Sequence, residues 1–220
     1  MISKRIIAVL TFEDGNLTRT QNFIADYTYT QNFINNTLFD EIVIIDISKN
    51  NKNRAKFYDV VKKFAEHCFV PICVGGKIKT FSEVRKFQVL GVDKILINSS
   101  FVTNPTLIKR IIKTYGNQFV VIGIDFKKIK SKYVFYFNRG KKKINKNIKK
   151  YLSEMNKTSP GEILLQSIDR DGTFHGFDLK ILKFVKKHLT CPLLVCGGAG
   201  NWDHFVDAFS VGGADGVCTN

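Results

Sequence analysis

Apolar and polar positions alternate along the chain in a repeating pattern. Short runs rich in β-branched residues are followed by amphipathic stretches of roughly ten residues or more, which predicts strands joined by helices. The eight predicted strands are Arg5–Leu10, Glu41–Asp46, Phe69–Val74, Lys94–Asn98, Phe119–Ile124, Glu162–Gln166, Leu193–Cys196 and Gly216–Thr219. The predicted helices between them include Asn53–Cys68, Phe81–Leu90, Pro105–Tyr115, Leu179–His188 and Trp202–Ser210.

Near-continuous apolar strands that alternate with helices are typical of a parallel sheet covered by helices. Eight such strands indicate either a barrel or a large doubly wound sheet. No G-x-G-x-x-G motif follows the first strand, so the mark of a dinucleotide-binding sheet is absent. One further segment, Tyr133–Phe137, predicts an inserted β-arm that turns at Arg139 and Gly140.

An internal repeat favours the barrel. Segments of the first half recur in the second half at an offset of 121 or 122 residues. The matching pairs are Glu41–Ile44 with Glu162–Leu165, Gly75-Gly76 with Gly197-Gly198, Phe81-Ser82 with Trp202-Asp203, and Gly91–Asp93 with Gly213–Asp215. We therefore predict an α/β chain that forms a single (βα)8 TIM barrel domain over residues 1–220. Its two (βα)4 half-barrels span about 1–115 and 116–220.

The repeat also predicts an eighth helix after the strand Gly216–Thr219. The sequence ends at Asn220, and we interpret this as an incomplete C-terminus. No apolar run reaches the roughly 18 residues that a membrane span needs, and the N-terminus lacks the features of a signal peptide. These features predict a cytoplasmic protein that does not bind a membrane.

Charge is distributed unevenly. The net charge is +15, and the segment Phe126–Ser153 holds eleven Lys or Arg residues and no acidic residue. Three interpretations remain open: a solvated hairpin and helix face, attraction of a small anionic substrate, or nucleic-acid binding. Because no motif with interleaved aromatic residues accompanies the lysines, we expect no nucleic-acid partner.

Five cysteines form two C-x4-C pairs that bracket apolar runs, with Cys218 as the fifth. Zinc sites usually have tighter spacing and histidines, so the pattern favours reduced structural cysteines. We expect no metal and no cofactor.

Two glycine pairs follow equivalent strands and open helices: Gly75 and Gly76 in the first half, Gly197 and Gly198 in the second. Glycine lets backbone N–H groups approach an anion, and a helix dipole adds attraction. Two such cradles across a pseudo-twofold axis suit a substrate with a phosphate at each end. The alternative is that these glycines only make tight strand–helix turns.

The polar residues that end the strands should meet at one mouth of the barrel. Asp125 ends the fifth strand, and its symmetry mate is Thr11, which is no useful base near neutral pH. Asn98, Asp171 and Gly172 should lie at the same mouth and contribute to substrate binding. The alternatives are that Asp125 caps a loop or helix and that the loop holding Asp171 is a capped turn.

Four charged residues begin strands at the opposite mouth. Arg5, Glu41, Lys94 and Glu162 place alternating charges around the N-terminal opening. Charges that are half-buried persist only when they are paired. This set predicts either a salt-bridge ring that plugs the barrel or a gate to a tunnel through it.

Taken together, these motifs resemble HisF, the cyclase subunit of imidazole glycerol phosphate synthase, over nearly the whole chain. The sister isomerase HisA shares the barrel but lacks the run Ser167–Gly172. The stretches that carry the resemblance are Lys4–Ala8, Asp93–Asn98, Gly161–Leu165, Ser167–Thr173 and Gly197–Asn201.

The resemblance implies a HisH-like glutaminase that docks on the N-terminal face, at Asp93 and Gln118, and forms a heterodimer. Ammonia would pass the gate of Arg5, Glu41, Lys94 and Glu162 to a bisphosphorylated ribonucleotide. Cyclisation and cleavage would then give imidazole glycerol phosphate and an aminoimidazole ribotide. Asp125 matches one catalytic aspartate of the family, whereas Thr11 stands at the other.

Further departures lie at the reactive end. The lysine of the family's first mobile loop falls at Arg19 and its glycine at Thr20, the third glycine of the first cradle falls at Lys77, and a site threonine falls at Gln166. A serine that helps bind the second phosphate would follow Asn220.

The residues for docking and gating match the family, whereas residues needed for the cyclase chemistry are replaced. This combination resembles the HisF paralogues of acetamidino-sugar pathways for surface polysaccharides and flagellin glycans. It favours an ammonia channel that also works with an N-acetyl-sugar amidotransferase. One alternative is an authentic cyclase of histidine biosynthesis, which is a lyase. The other is a non-enzymatic scaffold or anion-binding module.

Overall fold

The computed structural model describes residues 3–28 and 39–219, in which eight parallel strands close into a barrel. The barrel strands are β1 Arg5–Glu13, β4 Glu41–Asp46, β5 Ile72–Gly75, β6 Lys94–Ile97, β7 Val120–Ile129, β10 Glu162–Ser167, β11 Leu193–Cys196 and β12 Gly216–Thr219. They neighbour one another in this order, and the ring closes where β12 pairs with β1. The predicted (βα)8 architecture is therefore confirmed.

Helices cover the outside of the barrel. Several begin with the side-chain caps that favour helix initiation, such as the capping box of Thr80 with Glu83 and the cap of Asn104 before Pro105. Within the described residues the helices are α1 Arg54–His67, α2 Phe81–Val89, α3 Ser99–Thr103, α4 Pro105–Tyr115, α5 Ile148–Thr158, α6 Leu179–His188 and α7 Trp202–Ser210. The described part of the chain ends with β12, at Thr219.

Side chains separate into two apolar layers with the period of two that strands impose. One layer, which includes Leu10, Ile44, Phe57 and Phe64, packs between the strands and the helices. The other fills the barrel interior with residues from the strands alone: Ile7, Val9, Val43, Cys73, Leu96, Val121, Leu164, Leu194, Cys196 and Cys218. The interior is thus a packed core with polar groups only at its two ends.

Among the described residues, four further strands and the ends of β1 and β7 extend beyond the barrel. Strand β1 continues to Glu13 and pairs with β2 (Asn16–Gln21), which pairs with β3 (Ile24–Thr28), to make an arm of residues 14–28. Strand β7 continues to Ile129 and pairs with β8 (Lys132–Phe137), as predicted for the second arm, and β8 pairs with β9 (Lys142–Lys143). The first arm was not predicted from the sequence.

One predicted strand begins too early. The sequence predicts Phe69–Val74, but β5 starts at Ile72 and Phe69 lies fully exposed in the preceding loop. Pro71 just before the strand has no N–H to donate to a neighbouring strand, so it marks the point where pairing begins.

Candidate functional site

A cavity of about 700 Å³ opens at the C-terminal ends of the barrel strands. Its floor includes Leu96 and Leu164 from the interior layer. Above the floor lie Thr11, Asn98, Asp125 and Gln166, which continue the inward-facing positions of β1, β6, β7 and β10. The strand register therefore brings four of the polar residues singled out in the sequence into one cavity.

Asp125 is buried at the wall of this cavity, with 8% of its surface exposed. Burial raises the pKa of its carboxyl group from 3.8 to about 7, although hydrogen bonds from the Gly140 backbone and from Asn98 oppose this, and the nearby Asp171 adds to it. A carboxyl group with a pKa near 7 can both accept and donate a proton at neutral pH.

The Thr11 side chain, besides lining the cavity, is hydrogen-bonded to the first arm. Its hydroxyl donates to the backbone oxygen of Thr18 and lies 3.2 Å from the Thr18 hydroxyl oxygen, across the β1–β2 pair. The Thr18 hydroxyl in turn donates to the Thr11 carbonyl at 3.3 Å. Thr11 therefore anchors the first arm at the position where twofold symmetry would place a carboxylate.

The first glycine cradle lines the cavity through Gly76. A Cβ atom there would lie 2.2 Å from the Asp46 carbonyl oxygen, so only glycine fits. Gly75 faces Leu96 instead. The Lys77 ammonium nitrogen lies 3.5 Å from an oxygen of the buried Asp46 carboxylate. The same oxygen forms an ion pair with the Arg54 guanidinium at 2.7 Å.

The second glycine run is packed against backbone. A Cβ atom on Gly197 would lie 2.6 Å from the Ser167 carbonyl oxygen, and one on Gly198 would lie 2.2 Å from that of Gly176. Neither Gly197 nor Gly198 contributes to the cavity lining, unlike Gly76. Their role as a phosphate cradle stays a prediction.

At the opposite mouth, the four predicted gate residues form a closed ring of ion pairs. Arg5 donates to Glu41 at 2.8 Å and to Glu162 at 2.6 Å. Lys94 bridges the same two carboxylates, at 2.8 Å to Glu41 and 3.1 Å to Glu162. Each charged group thus faces two of opposite sign, which is the arrangement that offsets the cost of partial burial.

Burial and pairing in the ring shift the pKa values of three of its members, Arg5, Glu41 and Lys94. Burial lowers the pKa values of Arg5 and Lys94, but the two glutamates outweigh it and the net shift is upward. Burial raises the pKa of Glu41 despite the attraction of Lys94 and Arg5. The Oε1 atom of Glu41 is buried and has no hydrogen-bond partner among the described residues.

The two predicted docking residues flank this mouth. Asp93 precedes β6 and accepts a hydrogen bond from the Ile72 backbone at 2.8 Å, while remaining exposed. Gln118 is exposed in the short helix Asn117–Phe119 that leads into β7. The fully exposed Phe69 precedes β5 on the same side, and the sequence pattern had placed it in a strand.

Comparison with known proteins shows that the family model described as "Histidine biosynthesis protein" matches residues 8–219. The chain belongs to this family. It is 37% identical to the imidazole glycerol phosphate synthase subunit HisF of Thermotoga sp. (strain RQ2), over 96% of this chain and 86% of the relative. The HisF subunits of Chlorobium chlorochromatii (strain CaD3), at 36%, and Clostridium botulinum (strain Okra / Type B1), at 38%, each align over 98% of this chain and 88% of their own length.

The predicted resemblance to HisF is thus confirmed. The relatives bear the name of the synthase subunit, so they support the cyclase alternative better than the acetamidino-sugar pathway, which the comparisons do not show. Within the described residues of this HisF-family chain, no group of three or more His, Cys, Asp or Glu could hold a metal ion. None of the described helices has the length and apolar character needed to cross a membrane.

In this HisF-family chain, Asp171 holds the first arm over the mouth. Its carboxylate accepts hydrogen bonds from the Thr20 hydroxyl at 2.8 Å and the Phe23 backbone at 3.0 Å, and its carbonyl accepts from the Asn22 backbone at 3.0 Å. Gly172 allows the close approach, since a Cβ atom there would lie 2.7 Å from the Thr20 carbonyl oxygen. The sequence predicted that Asp171 and Gly172 bind substrate, and the structure places them at the contact with the arm.

Loss of this contact should free the arm. We expect Asp171→Ala to increase the rate of proteolytic cleavage within residues 14–28, because two hydrogen bonds to a carboxylate, worth roughly 1.5–3 kcal/mol each, are removed. Limited proteolysis followed by mass spectrometry would measure the rate. Asp169→Ala, in the same loop, is the matched control because the Asp169 carboxylate accepts from the Lys128 backbone in the second arm and not from the first arm. Equal cleavage rates in the two variants would contradict this role.

Proposed function

We propose that this chain is the HisF-type subunit of a glutamine amidotransferase complex, of the imidazole glycerol phosphate synthase kind. A partner glutaminase would release ammonia at the charged ring, and the acceptor would react in the cavity at the other mouth. The observation that carries the proposal is the alignment of these two sites along one barrel. Arg5 and Thr11 lie at opposite ends of the same inward-facing row of β1.

The interior between the two sites suits neutral ammonia. Leu96 and Leu164, in the cavity floor, lie two residues beyond Lys94 and Glu162 along β6 and β10. Two residues of a strand span about 7 Å, so the cavity ends close above the ring. The intervening side chains are apolar, and an apolar path penalises the ammonium ion far more than it penalises ammonia. The unpartnered Oε1 of Glu41 offers an acceptor for an N–H group that passes the ring.

The surface around the ring supports docking of a partner. Tyr, Trp and Phe are enriched at protein–protein interfaces, and Phe69 is fully exposed in the loop that leads into β5. Asp93 and Gln118 add polar groups to the same face. A glutaminase seated here would deliver ammonia into the barrel rather than into solvent.

Two acceptors are compatible with this scheme. Similarity to subunits of imidazole glycerol phosphate synthase favours the cyclase substrate of that enzyme, with Asp125 as the proton-transfer group. Thr11 favours a different acceptor, such as the acetamidino sugar, because it leaves Asp125 without a second carboxylate at the symmetry-related position. The channel-only role would in that case involve a separate amidotransferase.

Ammonia-driven turnover of the bisphosphorylated ribonucleotide, without a glutaminase, distinguishes the two. If the chain is a cyclase subunit, the unmodified protein should turn over this substrate. If it is not, turnover should be absent, and Thr11→Asp should restore it where the missing carboxylate is the only defect. A second general acid or base typically contributes about 100-fold to 10,000-fold in rate.

Thr11→Asn is the matched control, because it removes the same hydroxyl contact to Thr18 without adding a charge. Both variants should be checked for folding first. If neither the unmodified protein nor Thr11→Asp turns over the ribonucleotide while both bind a glutaminase tightly, the cyclase acceptor is excluded. Failure to bind any glutaminase would exclude the amidotransferase scheme itself.

A further inference from the structure

The turn that joins β8 to β9 has an unusual backbone. Asn138, Arg139 and Gly140 are consecutive residues with positive φ angles, of 55°, 59° and 69°. The left-handed conformation is strained for residues that carry a Cβ atom, and such residues normally adopt it singly. No other run of three residues in the described part of the chain has positive φ angles. Strained backbone persists only where its surroundings hold it, and such segments cluster at functional sites.

Neighbouring elements hold this turn in place. The Asn138 backbone N–H donates to the Ser99 hydroxyl oxygen at 3.1 Å, at the start of α3. The Arg139 guanidinium lies 3.7 Å from the Glu13 carboxylate, at the end of β1. The Lys141 backbone N–H closes the turn by donating to the Asn138 carbonyl at 3.2 Å. Tertiary contacts therefore fix a conformation that the local sequence does not favour.

The left-handed turn directs a backbone N–H group at Asp125. Asp125 is paired with Tyr136 across β7 and β8, and the turn begins two residues later along the chain. The Gly140 N–H donates a hydrogen bond to the Asp125 carboxylate. Asn138, Arg139 and Asp125 line the same cavity. The strained segment and the buried carboxylate thus belong to one wall of the mouth.

We propose that the turn Asn138–Gly140 is a positioning element for Asp125, which it holds through one backbone N–H so that the carboxylate faces the cavity and accepts a proton there. A backbone donor in a fixed turn suits this role, because it has no rotamers and adds no charge to the cavity. The proposal rests on the proposed function only in treating the mouth cavity as the place where the acceptor reacts.

Other ionisable groups around Asp125 come from separate elements. Burial raises the pKa of Asp125 most, and Asp171, in the loop after β10, adds to it. Burial also raises the pKa of Tyr151 on α5, and the charge of Asp125 adds to that shift. Arg139 is part of the turn itself, so its charge has to be separated from its backbone conformation. The other ionisable residues in the cavity lining are Asp46, Lys49, Lys77, Lys79, Glu83 and Lys141.

Two substitutions at Arg139 separate its backbone from its side chain. Arg139→Pro fixes φ at about −65° and abolishes the left-handed conformation, whereas Arg139→Gly allows it. Both remove the charge and the contact with Glu13. Carbon-13 NMR of the full chain would follow the titration of the Asp125 carboxyl carbon, assigned by its absence in Asp125→Asn. We expect its midpoint in Arg139→Pro to lie about one pH unit above that in Arg139→Gly, because a hydrogen bond to the charged form is lost.

A second pair of variants tests the anchor of the turn. Ser99→Ala removes the acceptor of the Asn138 N–H and should raise the midpoint, whereas Ser99→Thr keeps a hydroxyl group and should restore it. Equal midpoints in folded Arg139→Pro and Arg139→Gly would overturn the proposal. If Arg139→Pro does not fold, an unchanged midpoint in Ser99→Ala overturns it. The titration uses no ammonia, acceptor or glutaminase, so its failure is distinguishable from failure of the amidotransferase scheme.

Discussion

Replacing Asp125 with asparagine is expected to lower ammonia-driven turnover of the acceptor by at least about 100-fold. The carboxyl group is buried in the cavity wall, and its pKa of about 7 lets it exchange a proton near neutral pH. Asparagine keeps the size and the hydrogen bonds to Asn98 and Gly140 but cannot exchange a proton. Steady-state rates at saturating ammonia would measure the effect, once an acceptor has been identified.

Asp169→Asn is the control for this variant, because it removes a carboxylate from the same mouth but outside the cavity lining. The pH profile adds a second readout. The unmodified protein should show a limb in kcat/KM near pH 7 that Asp125→Asn lacks. A profile that keeps this limb in the variant would show that another group transfers the proton.

The same substitution should change the pH dependence of stability. Burial raises the pKa of Asp125 in the folded chain from 3.8 to about 7, so the folded state binds this proton more tightly than the unfolded state. The resulting stabilisation is complete below about pH 4 and is lost as the pH rises through about 7. The free energy of unfolding of Asp125→Asn minus that of the unmodified chain should therefore become more positive as the pH rises from about 4 to about 7.

Replacing Arg5 with alanine is expected to have the largest effect on stability and to uncouple glutamine hydrolysis from the acceptor reaction. The substitution leaves Glu41 and Glu162, both buried, with Lys94 as their shared cation in the ring. Removing one partner of a buried ion pair costs about 3–5 kcal/mol, and the partial exposure of Arg5 places the expected loss near the lower end. Denaturant unfolding would measure it.

Coupling is measured as the ratio of glutamine-driven to ammonia-driven turnover in the complex with a glutaminase. Lys4→Ala is the matched control, since Lys4 adjoins Arg5 in sequence but pairs with Asp215 at 3.7 Å with about half of its side chain exposed. It should cost less than about 1 kcal/mol. Arg5→Lys keeps the charge and should retain part of the coupling. An unchanged ratio in a folded Arg5→Ala protein would show that the ring does not gate ammonia.

The sequence by itself determined the barrel and the contents of its two mouths. The alternation of buried strands and amphipathic helices predicts a parallel sheet, and the repeat at 121 or 122 residues predicts closure. Because side chains alternate with period two, residues at the strand ends could be assigned to one mouth or the other. Arg5, Glu41, Lys94 and Glu162 accordingly form the predicted ring, and Thr11, Asn98 and Asp125 share the predicted cavity.

Only the tertiary structure decided how the loops close over that cavity. Thr20 meets Asp171 across 151 positions of the sequence. No periodicity links such residues, because loop backbones follow turn geometry and distant hydrogen bonds rather than a repeating face. Gly76, Gly197 and Gly198 all pack against backbone, but of these three only Gly76 lines the cavity. Strand periodicity determines the residue at which a loop begins, and long-range contacts determine the path of its backbone.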